Sequence, residues 1–423
     1  MENALVRLPW KFELRLVWIL LAVTLFFPRV VHSQDHAQDI TCENGSGEYS
    51  ARFFTGTTVN VGPMRQAAFA ERACSAKLIW KGKDIPVVSD AEQVGIDVLG
   101  ADLGFGKPVV SFQIDRSGAG SKLIYQIYSL AKPPHLLYTI MGGDSYRAAD
   151  TDLDGRIEIW TDDAAAVDGF EGVPSVDLDS PPTVVLRFKK GQLVDVGSEF
   201  QNFYDAEIAE DRSRVSERDL TEFKQSDGKL SANSLRSGPE QHRLIRTKID
   251  VLEIVWAYLY SGRDQEAWSA LSEMWPSQDL QRIRAAISTL HERGMLRDVE
   301  RSRRPPRRGY RVKIYDTVNT ANVVTFFDPS QGAPDPSQSQ PTIVQPKSIL
   351  LRRPPSSPDG SVPSANEIVE LVVDAAGKVH SAKIVNGTDE PLIKASAGWQ
   401  FIPAFRDGSP VACRFRLNVW TLR

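Results

Sequence analysis

The chain has 423 residues, 42% hydrophobic and 25% charged, with a formal net charge of -4. This composition excludes a disordered or membrane-filling chain and leaves room for two or three folded domains. So small a net charge sets up no whole-protein field toward nucleic acid, so no nucleic-acid partner is expected and any electrostatic function must be local.

At the N-terminus, Arg7, Lys11 and Arg15 flank an apolar run from Leu16 to Phe27, and Val31-His32-Ser33 offers small residues before Gln34. The pattern predicts a signal peptide over 1–33 and export to the periplasm. The alternative is a retained, single inner-membrane anchor facing the periplasm. Twelve apolar residues closed by Pro28-Arg29 fall short of the ~20 that span a bilayer. No cysteine follows the run at lipoprotein spacing.

Residues 37–200 alternate strands and turns. Val109 to Ile114 and Leu123 to Tyr128 are β-branched and aromatic runs separated by Ser117-Gly118-Ala119-Gly120-Ser121, which predicts a hairpin. Similar runs at Leu136 to Ile140, Ile157 to Thr161 and Thr183 to Phe188 make this an antiparallel β domain, sandwich or partial propeller. Cys42 and Cys74 fall in this region and are expected to pair, leaving Cys413 free; a cystine suits an oxidising compartment.

From 201 to 298 the period becomes helical. Ile245, Ile249, Leu252, Trp256 and Leu259 form one apolar stripe that ends near Gly262. A second helix covers Asp264 to Met274. A third follows Pro276-Ser277 and is expected to close at Gly294 as a left-handed cap. Tyr258, Gly262, Ala267 and Leu271 are spaced as in a tetratricopeptide unit, and the segment resembles one such hairpin. A single copy cannot bury its faces alone, so ordinary packing in a small helical bundle is expected.

Residues 299–363 read as a basic Pro/Ser-rich linker. Arg301, Arg303, Arg304, Arg307, Arg308, Arg311 and Lys313 open it, and Arg352-Arg353-Pro354-Pro355 lies near its end. Dense proline predicts extended, semi-rigid backbone without a core. The basic run could contact an anionic envelope surface, with affinity falling as salt rises.

The sharpest motif is Asp150-Thr151-Asp152-Leu153-Asp154-Gly155-Arg156-Ile157-Glu158. Oxygen ligands at alternate positions, a glycine where the chain must turn and a carboxylate at the ninth place suit a hard cation of calcium's size. Asp150, Asp152 and Asp154 would coordinate through side chains, Arg156 through its carbonyl, and Glu158 directly or through water. The loop resembles EF-hand-like calcium loops, and more closely those of FG-GAP repeats, where the loop leads into a strand. Thr161 stands where an EF-hand needs a bidentate glutamate, so the helical version is disfavoured and Ca2+ is expected in a structural role. The bland alternative is an Asp-Gly turn whose carboxylates cap backbone amides.

No residue set predicts catalysis, and the protein is not expected to be an enzyme. Gly118 to Lys122 lacks the ending and the helix of a phosphate loop. Gly143-Asp144-Ser145 has no oriented histidine to activate the serine. The six histidines show no metal-ligand spacing.

From 364 to 423, Val369 to Asp374, the turn Gly377-Lys378-Val379, Ala382 to Gly387, the block Trp399-Gln400-Phe401-Ile402-Pro403-Ala404, Gly408 to Val411 and a closing strand from Arg414 to Leu422 resemble a TonB C-terminal domain. The residues themselves predict strand, turn, strand, short helix and further strands, with Trp399 and Phe401 in the core. The stretch from Pro391 to Gly398 is about one helical turn shorter than the family pattern. The resemblance implies a protein-interaction module that pairs strand against strand with an envelope or outer-membrane protein.

The expected fold class is multidomain α+β: an antiparallel β domain, a small helical bundle, a Pro-rich linker and a small TonB-like α+β C-terminal domain. Two functional readings follow. One is an exported periplasmic binding or scaffold protein with a structural calcium site; the other is a membrane-anchored TonB-type energy transducer for outer-membrane transport.

Overall fold

Alternating inward and outward side chains build the first half of the protein from strands. The computed structural model describes residues 40–64, 73–116, 123–179, 181–230, 238–295, 299, 323–326, 343–351, 368–385 and 389–418. The predicted signal segment, the basic run 301–313, the Arg352-Arg353-Pro354-Pro355 stretch and the whole Gly118 to Lys122 turn lie outside these residues.

Three antiparallel meanders follow one another. After β1 (Ile40–Glu43), strands β2 (Tyr49–Arg52), β3 (Thr58–Pro63), β4 (Cys74–Trp80) and β5 (Lys83–Ala91) pair in sequence order. Strands β6 (Gln93–Leu99), β7 (Val109–Asp115), β8 (Ile124–Ser129) and β9 (His135–Met141) form the second sheet, with β1 added beside β6. Strands β10 (Tyr146–Ala149), β11 (Glu158–Asp162), β12 (Thr183–Lys189) and β13 (Gln192–Asp195) form the third. The predicted β7–β8 hairpin pairs from Val109↔Ser129 to Ile114↔Ile124. Cys42 on β1 is bonded to Cys74 on β4. The cystine therefore ties the first two sheets together, inside a core containing Val59, Leu78, Val94 and Phe112.

A short helix α1 (Ala164–Val167) lies between β11 and β12, and five helices follow the sheets: α2 (Gln201–Arg214), α3 (Glu217–Lys224), α4 (Gly238–Tyr260), α5 (Asp264–Met274) and α6 (Leu280–Arg293). Ser216 caps α3 by accepting from the Asp219 amide, 3.1 Å away. Helix α4 is buried without interruption from Thr247 to Ala257, because α2, α3 and α5 pack around it. Helices and sheets share one apolar cluster, in which Ile159 and Val184 join Leu252, Trp256 and Ile287. Gly294 is not a left-handed cap: its φ is -66° and ψ -144°. Glycine is required there by space, since a Cβ would stand 1.9 Å from Asp163 Oδ2. Among the described residues no helix is long and apolar enough to cross a membrane.

The stretch expected to be a coreless linker supplies three strands, β14 (Val324–Phe326), β15 (Ile343–Val344) and β16 (Lys347–Leu350). They are followed by β17 (Ile368–Val373), β18 (Val379–Ile384), α7 (Glu390–Ser396), β19 (Gln400–Ile402), β20 (Ala404–Arg406), β21 (Ser409–Val411) and β22 (Cys413–Asn418). The main terminal sheet has the order β14-β22-β17-β18, while β15 pairs with β20 and β16 with β19. Strands β22, β20 and β19 otherwise present open backbone edges, and the passing chain satisfies them. Trp399 and Phe401 are buried with Val369, Leu371 and Leu392. Burial also pushes the free thiol of Cys413 up to about 12.

Candidate cation site

The register of β10 and β11 ends at Ala149↔Glu158, so the chain from Asp150 to Ile157 must reverse within the hairpin. Leu153 and Gly155 supply the left-handed conformations, at φ 59° and 84°. A Cβ on Gly155 would meet nothing, so backbone conformation and not space favours glycine there. The loop then folds its carboxylates onto its own amides. Gly155 N–H donates to Asp150 Oδ2 at 3.0 Å, Asp154 N–H to Asp152 Oδ1 at 3.2 Å and Arg156 N–H to Asp154 Oδ1 at 2.7 Å.

This winding brings one carboxylate oxygen from each of Asp150, Asp152 and Asp154 within 4.8 Å of the others. Asp152 is exposed and Asp154 half-buried, whereas Asp150 is fully buried. Asp150 Oδ1 is buried without a hydrogen-bond donor. Protein interiors rarely leave a carboxylate oxygen in that condition. Burial, reinforced by the charge of Asp374, pushes the Asp150 carboxyl up to about 8, against the pull of the Gly155 amide. The site thus offers a dry, electron-rich oxygen beside two wetter ones, which a hard divalent cation would neutralise.

Glu158 lies outside this group of three, and the side chain of Arg156, expected to contribute only its carbonyl, pairs within it. Glu158 is fully buried and faces Arg187 directly across β11 and β12. Arg187 donates from Nε to Glu158 Oε1 at 2.8 Å and reaches Glu199 at 2.7 Å. Burial raises Glu158 to about 7 even with Arg187 opposing it. It therefore reads as a cross-strand ion-pair partner, outside the aspartate group. Arg156 folds its guanidinium onto Asp154. Burial works upward on Asp154, and the hydrogen bonds and charge of Arg156 outweigh it and hold the carboxyl below its ordinary value.

Sequence reasoning missed Asp374. Its Oδ2 accepts the Asp150 N–H at 2.9 Å across a separation of 224 residues, and its Oδ1 accepts from Ala376 at 2.9 Å and Lys378 at 2.8 Å. Burial raises this carboxyl to about 6, with the amides of Lys378 and Asp150 drawing it down. Its only local signal was a turn, Asp374-Ala375-Ala376-Gly377, with nothing to say what the turn meets.

Elsewhere, a cleft of about 800 Å³ lies between α1 and α6, lined by Asp163, Asp168, Phe170, Ala286, Arg293 and Met295 among others. Asp163 is engaged there, accepting from the Tyr260 hydroxyl at 2.6 Å and the Met295 amide at 3.0 Å. That gives the carboxylate a role in packing. No protein-family model, no curated protein and no solved structure matches the chain.

Proposed function

We propose that the protein is an exported cell-envelope binding or scaffold protein in which a calcium ion, held by Asp150, Asp152 and Asp154, stabilises the β sheets. The single observation that carries the calcium reading is the buried, donor-less Oδ1 of Asp150 within a group of three converging carboxylates. The bonded Cys42 and Cys74 support an oxidising compartment, the periplasm. The terminal α+β unit is the proposed protein-interaction module. Among the described residues its β18 is the last strand of the order β14-β22-β17-β18, and its outer backbone edge is the proposed place for strand pairing with an envelope protein. The proposed role is one of binding and not of catalysis.

Calorimetric titration of the purified chain with calcium tests the site: one-site binding is expected, abolished by Asp152→Ala with Asp154→Ala. A flat titration of the wild type refutes it. N-terminal sequencing of protein recovered from cells tests export, with Gln34 expected as the first residue.

A further inference from the structure

We infer that calcium in the Asp150 loop fastens the β17–β18 hairpin to the β sheets, so that the loop works as a cation-operated clasp on the C-terminal module; this rests on the calcium reading above. The hairpin's turn faces the rest of the protein. Ala375 and Ala376 are buried in the same apolar cluster as Val98, Ala148 and Ile157. Gly377 makes the turn possible at φ 86°, with the Phe401 carbonyl oxygen only 1.9 Å from where a Cβ would stand.

Two polar contacts hold this turn. The first is fully compensated: Lys378 Nζ donates to the carbonyl and Oδ1 of Asp97 on β6, at 2.6 and 2.7 Å, and Asp97 Oδ2 accepts the Tyr125 hydroxyl at 2.6 Å and the Ala148 amide at 2.8 Å. The second is conditional. It is the hydrogen bond from the Asp150 amide to Asp374 Oδ2, and its donor belongs to the first residue of the cation loop. Here the buried Asp374 carboxyl sits on the backbone amide of the buried Asp150, close enough for its charge to act on the Asp150 carboxyl. With calcium on Asp150, Asp152 and Asp154, the charge of Asp150 is neutralised and the loop backbone is fixed, so the amide stays aimed at Asp374. Without it, Asp150 is left with a buried oxygen that has no donor, the loop loosens, and its amide loses its aim at Asp374.

Linkage makes the coupling reciprocal: whatever calcium adds to docking of the hairpin, docking adds to calcium affinity. Hydrogen exchange on the full-length chain, in excess calcium and in EGTA, reads one direction. Amides of residues 374–378 are expected to exchange more slowly in calcium. In Asp152→Asn, which keeps an oxygen for the Asp154 amide but removes a ligand charge, they should exchange alike in both. Calorimetry with calcium reads the other direction. Lys378→Met frees the hairpin without touching the loop and should weaken calcium binding by about fivefold to a hundredfold.

Calcium bound equally tightly by wild type and Lys378→Met, with unchanged exchange at 374–378, overturns the clasp and leaves the cation site standing. Absence of any calcium binding by the wild type overturns both. Should Lys378→Met fail to fold, the wild-type exchange comparison decides alone: protection in calcium supports the clasp, and its absence overturns it.

Discussion

Two places in this protein crowd carboxylates together, and they solve the resulting repulsion differently. In the helical region, Asp211, Asp250 and Glu253 are all buried, and Arg214 reaches each of them while also lying 3.9 Å from Asp179 and 3.5 Å from Glu210. Arg246 adds a second guanidinium at Asp179 and Asp250. In the Asp150 loop Arg156 pairs with the more exposed Asp154, a member of the group, and Arg187 with Glu158, and neither guanidinium reaches Asp150. Asp150 Oδ1 is thus left without a donor, whereas Asp250 Oδ1, which also lacks a hydrogen bond, lies 3.5 Å from Arg214 and 3.4 Å from Arg246. Acidic crowding alone therefore says little about metal. The informative observation is which cluster carries its own counter-charge, since an ion pair built into the fold leaves a cation nothing to do.

The largest expected effect strikes the self-compensated cluster. Arg214→Ala strips three buried carboxylates of their shared partner and should destabilise the protein by roughly 3 kcal/mol or more in urea unfolding. Added calcium should not restore the loss. Rescue by calcium would erase the distinction between the two clusters. Next comes the calcium-dependent stability of the wild type. At a hundredfold excess over the dissociation constant, binding adds about 2.7 kcal/mol, seen as a rise in Tm that Asp152→Ala with Asp154→Ala abolishes. A wild-type Tm identical in calcium and chelator would show that the loop's carboxylates serve only as amide caps.

Legibility in the sequence followed the range of each interaction. The Asp150 loop could be read because its carboxylates recur at alternate positions of a single turn, and α4 because Ile245, Ile249, Leu252, Trp256 and Leu259 share one face. Helix α2 showed no such stripe, since its buried residues include Glu207 and Asp211 beside Tyr204 and Ile208. Asp211 pairs with Arg214 one turn further along the same helix, and that guanidinium also reaches Asp250 and Glu253 on α4, which only the tertiary structure brings near. Glu158 reads as a ninth-position ligand until the strand register sets Arg187 opposite it, 29 residues further on. The strands within 299–363 were hidden by their proline and arginine neighbours, because β-edge pairing asks little of side chains. The meeting of Asp150 with Asp374 left no trace in either local sequence.

A smaller effect concerns pH; Glu158 and Asp374 titrate in the same range, so the helical cluster is read from the difference between the wild type and Asp211→Asn with calcium saturating. Burial pushes Asp211 up to about 7; Arg214 opposes this, while Glu207, Asp250 and Glu210 push the same way. A carboxyl whose pKa is raised in the folded state binds its proton more tightly there than in the unfolded chain, where it titrates near 3.9. Its contribution is thus fully present below about pH 4 and is lost as pH rises toward about 7. Solvent reaches Arg214, so the change across this window should be about 2 kcal/mol and not the full linkage value. Urea midpoints from pH 4 to 8 should fall for the wild type and stay flatter for Asp211→Asn. Parallel slopes would mean that Arg214 keeps Asp211 ionised throughout.

The smallest expected effect has the opposite sign, and it bears most directly on the orphaned oxygen. In Asp150→Asn the amide oxygen can still accept from Gly155, as Asp150 Oδ2 does at 3.0 Å. The new NH₂ takes the position of Oδ1, with the carboxylates of Asp152 and Asp154 close by as acceptors. An unsatisfied buried acceptor is thereby replaced by a satisfied donor. In chelator the variant should be more stable than the wild type by about 1 kcal/mol, and calcium should no longer raise its Tm. A residue kept only for structure would behave in the reverse way, losing stability in chelator on substitution. The two outcomes separate a ligand from a cap: a cap is best in the apo protein, whereas a ligand strains the apo protein for the sake of the ion.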